Sequence, residues 1–328
     1  MNRRQFVHAA VLTVGTLGTV RRAGAAQRVH VTLVSPCTVP CLPLHLARRL
    51  GFYEAEGLTV ALEVDDRADN TPGAGARVYA CTFDALVEAH ARAQPRLIFA
   101  ALTRTPQVAI GWHSDAALRV PAAQRRPGGA VGVLAGDGMA RLALAHWWRL
   151  NGAASDAVAP VLYATPDALE QDVLSRRVDA VCVGDPLLTR LQRMGVLYLL
   201  TDMRDPEHSQ RLFGGSVIGV ALSAAPAVLA AHQPELQALA RAVQRSLRWL
   251  QTASPMDLAA HADLFDLAHD RALFLTVLEH ARASFVTDVL PQAAAVRRTL
   301  RWLYPDVGQH MPTLEPGRWF TARVAPEA

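Results

Sequence analysis

Lysine is absent from this 328-residue chain; all 33 basic residues are arginine. Without lysine there is no Walker loop, because that motif needs Lys-Ser or Lys-Thr at its end. We read the absence itself as composition rather than chemistry. Other signatures are missing too. There is no GxGxxG, no HExxH or HxH cluster among the 12 histidines, and no GxSxG elbow or traceable catalytic triad. After the N-terminal region no apolar run is long enough to span a membrane. No basic run marks a nucleic-acid surface. Internal repeats and low-complexity tracts are lacking. These gaps leave no support for a nucleotide hydrolase, a zinc protease, a serine hydrolase or a nucleic-acid binder.

What is present begins with a three-part leader. Arg3-Arg4-Gln5-Phe6 precedes an uncharged run from Val7 to Val20, and Ala23-Gly24-Ala25 supplies small residues for cleavage. This layout describes a secretory signal over residues 1–25, cleaved near Ala25. Arg-Arg-x-Phe resembles the twin-arginine export signal, and Arg21-Arg22 fits that route. The expected location is periplasmic, with the twin-arginine machinery as an export partner. The leader also explains the basic pI. Without its four arginines the chain has 29 basic residues against 29 acidic ones. About 300 remaining residues can bury a large core and usually divide into two domains.

Along that remainder, β-type and helical patterns alternate. Val29 to Val34 reads as a buried strand, followed by a loop with Cys37 and Cys41. A helix over Leu44 to Leu50, stopped by Gly51, and a strand over Leu58 to Val64 complete a βαβ unit. Strands are expected at Leu97–Ala101, Val108–Trp112, Ala130–Leu134, Val161–Ala164, Val178–Val183 and Val196–Leu200. Helices are expected after Thr82, from Met139 to Leu150, and after the Thr165-Pro166-Asp167 cap. The turn Ala135-Gly136-Asp137-Gly138-Met139 can cradle a polar ligand with backbone N–H groups. Val217 to Leu222 reads as a strand that crosses back. Beyond Ala225 the pattern is helical, with Leu236, Leu239, Val243, Leu247 and Leu250 on one face. The whole predicts an α/β fold with mostly parallel sheets.

Three stretches resemble a known family, the substrate-binding proteins of ABC importers for sulfonates, nitrate and thiamine-pyrimidine precursors. Leu42-Pro-Leu-His-Leu-Ala, with Leu50-Gly-Phe-Tyr-Glu-Ala-Glu-Gly-Leu-Thr-Val60, is similar to its most specific signature. Leu174-Ser-Arg-Arg-Val-Asp-Ala180 with Asp185-Pro186 resembles a second, and Ser223 to Leu250 its return helix. The resemblance implies a type II periplasmic binding protein: two doubly wound lobes, residues 27–112 plus 218–328 and residues 113–217, with a ligand cleft between them. It implies binding rather than catalysis, a small-molecule ligand and an inner-membrane ABC permease as partner. An enzyme of thiamine-pyrimidine synthesis shares this fold, but an export signal argues against it.

By the same resemblance, loops at strand ends meet the ligand. That nominates Ser35, Cys37, Thr38, Cys81, Thr82, Arg104, Gly136, Asp137, Gly138, Met139, Cys182, Asp185 and Asp202. All four cysteines fall in or beside these places, a departure that argues against sulfonate or nitrate. Three readings stay open. Cys37 and Cys41 form a local disulfide while the other two are merely buried. Alternatively Cys37, Cys41, Cys81 and Cys182 hold a soft metal ion or an iron–sulfur cluster as cofactor. In the third reading the thiols are small apolar lining. Arg104 is a candidate for pairing with an acidic ligand. Asp137 and Asp185 are candidates for accepting hydrogen bonds from an amine, with helix capping as the plainer role. Trp147 and Trp148 read as core.

Overall fold

The computed structural model describes residues 27–34, 38–64, 75–115, 130–152, 159–265, 267, 269–303 and 315–324. The leader, Ser35 and Cys37 lie outside these residues. Among the described residues no helix is long and apolar enough to cross a membrane.

Among the described residues ten strands form two sheets of five. The first contains β1 (Gln27–Leu33), β2 (Leu58–Val64), β3 (Ala76–Thr82), β4 (Leu97–Ala101) and β10 (Val220–Ala224), in the order β2-β1-β3-β10-β4. The second contains β5 (Val108–His113), β6 (Val131–Leu134), β7 (Val161–Tyr163), β8 (Ala180–Gly184) and β9 (Leu197–Asp202), in the order β7-β6-β8-β5-β9. The two orders follow one plan. Three parallel strands lie on one side, and the strand arriving from the other lobe is inserted antiparallel. β10 runs antiparallel to β3 and β4, and β5 runs antiparallel to β8 and β9. The chain therefore folds as two α/β lobes of a type II periplasmic binding protein.

The topology corrects the expected lobe boundary. β5 pairs with β8 and β9, so Val108–Trp112 belongs to the second lobe. An apolar run announces a buried strand, but not which sheet it enters. The first crossing lies between Ala101 and Val108, and the second lies between Phe213 and Val220.

The helices have local causes. α1 (Leu42–Arg49) starts with Pro43 in its first turn, and Gly51, at φ 69°, separates it from α2 (Phe52–Ala55). Tyr53 is fully buried and donates to the Leu44 carbonyl at 3.0 Å, locking the two together. α3 (Phe83–Ala91) follows β3 directly. α4 (Gly138–Leu150) is capped by Asp137, whose carboxylate accepts from Ala140 N at 2.8 Å. α5 (Pro166–Leu174) is capped by Thr165, and α6 (Leu187–Arg193) follows the Asp185-Pro186 turn. α7 (Pro206–Phe213) is capped by Asp205, which accepts from Glu207 N and His208 N. The sequence reading missed α7, although Asp-Pro-Glu at its start is the same cap, proline and early acid recognised at α5. α8 (Pro226–Ala231), α9 (Gln233–Thr252), α10 (Pro255–Ala259) and α11 (Arg271–Arg282) follow. The apolar stripe of α9 is buried as its spacing requires and packs on α1 and α2.

α12 (Ala293–Leu303) brings a second correction, because the C-terminal part is not all lobe one. α12 packs against α4 and α7 of lobe two. The Trp302 ring lies 4.7 Å from that of Phe213, and Arg149 Nη2 donates to the Trp302 carbonyl at 3.3 Å. One apolar cluster consequently joins the lobes behind the cleft. It includes Phe83 and Ile98 of lobe one, Leu144 and Trp148 of lobe two, and Val296 and Leu300 of α12. Trp147 and Trp148 are buried in it.

The two crossings run side by side. Val217 N donates to the Arg104 carbonyl at 3.0 Å, and Gly219 N donates to the Thr103 carbonyl at 3.2 Å. Thr103 Oγ1 accepts from Val220 N at 2.9 Å. A Cβ at Gly219 would overlap both the Thr105 carbonyl oxygen and Thr103 Oγ1. We therefore expect Gly219→Ala to cost about 1–3 kcal/mol by overpacking. Urea denaturation checks this, and a change inside about 0.5 kcal/mol, the ordinary range for a surface substitution, contradicts so close a crossing.

Candidate functional site

Between the lobes lies a cleft of about 890 Å³. Its walls are the carboxyl ends of strands and the first turns of the helices that follow them, where open α/β sheets bind ligands. Lobe one contributes Thr38 after β1, and Thr82 and Asp84 at the start of α3. Lobe two contributes Gly136 to Met139 and Arg141 at the start of α4, and Asp185 after β8. The N-termini of α3 and α4 thus line one cleft from opposite lobes.

The lobes touch here. Thr38 Oγ1 donates to the Asp185 carbonyl at 3.2 Å, and Arg193 of α6 pairs with Asp270 at 3.3 Å. The Asp84 carboxylate approaches Gly138 so closely that a Cβ there would overlap its Oδ2. Asp84 is only 5% exposed, and its Oδ1 has no hydrogen-bond partner. Burial pushes the Asp84 carboxyl up, against a hydrogen bond from Thr82 that pulls it down. Burial likewise pushes Asp137 up to about 6; the Asp84 charge adds to the rise, while the Ala140 N–H and Arg141 oppose it.

Below the cleft floor a buried ion network fixes the Asp185 turn. Arg204 is 1% exposed. Its Nη1 donates to Asp185 Oδ2 at 2.7 Å, its Nη2 to Asp202 Oδ2 at 2.6 Å and its Nε to Asp202 Oδ1 at 2.9 Å. Nη1 and Nη2 also reach Thr189 Oγ1 and Gln192 Oε1. Asp185 Oδ1 accepts from Thr189 N and Thr189 Oγ1 at 3.1 and 2.6 Å. Burial alone would raise the Asp202 carboxyl, but the hydrogen bonds and charge of Arg204 hold it below its usual range. Both carboxylates are committed to Arg204.

The comparisons with known proteins agree with this architecture. Residues 40–255 match the NMT1/THI5-like family. That span exceeds half of the chain. The chain belongs to the NMT1/THI5-like family. No curated protein matches it. Among solved structures, a protein of Bordetella bronchiseptica RB50 superposes with a TM-score of 0.76 at 20% identity, covering 92% of this chain and 96% of its own. The periplasmic aliphatic sulphonate binding protein SsuA of Escherichia coli gives 0.70 at 14% identity, covering 91% and 99%. The periplasmic nitrate-binding protein NrtA of Synechocystis PCC 6803 gives 0.65 at 13%, covering 91% and 87%. At such identities the likeness shows the fold. The fold is that of the two-lobed periplasmic binding proteins, the class named for the last two of these neighbours.

Within this family fold the nominated residues separate into groups. Thr38, Thr82, Gly136, Asp137, Gly138, Met139 and Asp185 line the cleft. Arg104 does not, because its Nε and Nη2 both donate to the Ala283 carbonyl, at 2.9 and 2.8 Å, and tie the first crossing to α11. Asp202 lies under the floor, held by Arg204. Cys81 and Cys182 are buried behind the wall and do not line the cleft either.

The four-thiolate site for a soft metal ion or iron–sulfur cluster does not take shape among the described residues, and no three His, Cys, Asp or Glu side chains there form a metal-holding group. Cys41 is fully buried and disulfide-bonded, so its sulfur offers no thiolate. Cys81 lies 3.7 Å from Ser223 Oγ, and burial pushes its thiol up to about 11. Cys182 donates to the Ala140 carbonyl at 3.3 Å, and burial, then Asp137, raise its thiol well above the usual value. Both thiols are engaged by the protein on separate strands, Cys81 with Ser223 and Cys182 with the Ala140 carbonyl.

Sequence reasoning missed Asp84 and Arg204. Asp84 is an acid in the first turn of α3, where acids are common, and no local signal distinguishes it. Arg204 carried one hint: Asp202-Met-Arg204-Asp205 is a dense charge cluster at a strand end.

Proposed function

We propose that this protein is exported to the periplasm by the twin-arginine route, captures a small molecule in its interlobe cleft and hands it to the inner-membrane permease of an ABC importer. The observation that carries this reading is the cleft itself. Its volume lies within the usual 300–1,000 Å³ of small-molecule sites, and it opens between strand ends of two lobes joined by two adjacent crossings. Two crossings side by side permit hinge closure around a ligand. The activity is binding. Family membership and the periplasmic binding proteins among the structural neighbours support the same role. Thr38 and Asp185, which bond across the cleft mouth, are the contacts that closure would strengthen.

Thermal unfolding tests this reading. The full-length protein without its leader is scanned against sulfonates, nitrate, amines, amidines, pyrimidines and a small-molecule extract of its host. At about 100 times its dissociation constant, a captured solute should stabilise the fold by about 2.7 kcal/mol. That corresponds to a rise in Tm of roughly 5–10 °C for a chain of this size. If neither the panel nor the extract moves Tm, solute capture is not the function.

A further inference from the structure

The charge of the cleft points to one class of ligand. Helix N-termini carry unsatisfied N–H groups and a partial positive charge, and so ordinarily welcome anions. Here both N-termini are already supplied with the protein's own anions. Asp84 occupies the first turn of α3, and Asp137 caps α4. An anionic ligand would have to enter against two carboxylates.

The cations of the cleft offset this only in part, with Arg141 lowering Asp137 through its charge. Arg92 pairs with Glu88 at 3.0 Å, and Arg190 pairs with Glu170 at 2.9 Å. Arg141 Nη1 donates to the Ala135 carbonyl at 2.5 Å, and the Arg96 guanidinium lies 3.4 Å over the Tyr79 ring. Each is engaged by the protein. The acids differ. Asp84 and Asp137 are 5% and 6% exposed, and neither forms a salt bridge with a described residue. Asp84 Oδ1 is buried without a partner at the cleft wall. A buried carboxylate without an ion-pair partner is costly, and a second one opposite raises that cost. A cation with N–H donors placed between them removes both penalties, through charge-assisted hydrogen bonds.

We infer that the cleft takes a small organic cation bearing N–H donors, an ammonium or amidinium, held between Asp84 of lobe one and Asp137 of lobe two. This assignment rests on the capture reading above and adds the ligand's charge. It also gives closure a driving force, because one cation bonded to both lobes is bound fully only when the lobes meet. Gly138 is what lets Asp84 come close enough.

The binding should depend on pH. Charged and titratable groups facing the pair are Glu88 and Arg92 on α3, Arg96 behind it, Arg141 on α4, and the thiols of Cys81 and Cys182, which remain neutral. Burial pushes Asp137 up to about 6. A bound cation favours its ionised form, so affinity should rise as pH increases through that value and level off above it.

The test is calorimetric titration at pH 8 with two sets of probes. The first is putrescine, agmatine and benzamidine with the cation-exchange fraction of a host extract. The second is methanesulfonate, nitrate and benzoate with the anion-exchange fraction. The wild type should bind from the first set and not from the second. Asp84→Asn and Asp137→Asn should each weaken that binding about 10–100-fold, the loss expected for one charged hydrogen bond. Circular dichroism confirms that both near-isosteric variants fold. Binding from the anionic set alone overturns the charge assignment and leaves capture standing. Cation binding that both variants retain undiminished overturns the placement. Silence from both sets overturns the charge assignment, and it sinks the capture reading too only if the neutral pyrimidines and the whole extract also leave Tm unmoved.

Discussion

Replacing Arg204 with methionine is expected to lower stability by about 3–5 kcal/mol, among the largest single-residue losses in this fold. The cause is what remains rather than what is removed. Asp185 and Asp202 would stay under the cleft floor, at 3% and 16% side-chain exposure, with no cation between them. The hydrogen bonds from Nε, Nη1 and Nη2 would go as well. At roughly 2–4 °C per kcal/mol, Tm should fall by about 10 °C. A second variant separates the stranded charge from general disruption. Arg204→Met combined with Asp185→Asn and Asp202→Asn should recover much of the loss, since neutral groups of like volume are tolerated where a lone charge is not. If the single change costs under about 1 kcal/mol, the network is not the support described here. Acid should weaken the network in a defined window. The folded-state pKa of Asp202 is depressed below 3.8, so its contribution is complete above that value and is lost as pH falls through the lower, folded one. The cluster also matters for the site. Thr105 Oγ1 of the first crossing donates to the Arg204 carbonyl at 3.3 Å, so the hinge and the Asp185 turn share one anchor.

Asp137→Asn should raise stability at neutral pH, by up to about 3 kcal/mol. Its folded-state pKa of about 6 lies above the unfolded value of 3.8. The folded protein therefore holds this proton more tightly than the unfolded chain. The group's stabilising contribution is complete below about pH 4 and is lost as pH rises through 6, leaving a penalty of about 1.4 kcal/mol for each unit of the raise. Asparagine retains an oxygen for Ala140 N, so the α4 cap survives while the charge disappears. The difference between the two proteins should be small at pH 4, grow between pH 4 and 6 and then stay constant. Chemical denaturation across that range reads it, above the window in which Asp202 titrates. A variant no more stable than wild type at pH 8 contradicts an uncompensated charge at this position. The result also carries a functional meaning. A residue whose removal stabilises the fold and weakens binding shows stability given up for ligand recognition.

Much of the fold was legible because its signals are local. The Thr165-Pro166-Asp167 cap, the glycine after α1, the α9 stripe and the apolar runs of both sheets each follow from propensity and period. The family signature near Leu42 to Val60 falls on α1, α2 and β2, all lobe-one scaffold. The site was legible in part for the same reason. Strand ends and helix starts can be found from sequence, and Thr38, Thr82 and Gly136 to Met139 do line the cleft. Pairings between distant residues could not be found that way. Whether β5 joins the first or second sheet depends on partners about 70 and 90 residues later, and nothing in Val108–His113 states them. α12 carries an ordinary amphipathic pattern, yet its apolar face is satisfied by lobe two.

By itself, then, the sequence determined the element types, the two-lobe family and the loops that meet at a cleft, because capping, periodicity and turn chemistry act within a few residues. Only the tertiary structure decided which charges those loops present. Arg104 and Asp202 turned out to be bound to the protein, Cys81 and Cys182 to be buried neutral thiols, and Asp84 to face Gly138 across the lobes. A side chain's charge state depends on its burial and its neighbours, and these are set by residues far away in the chain.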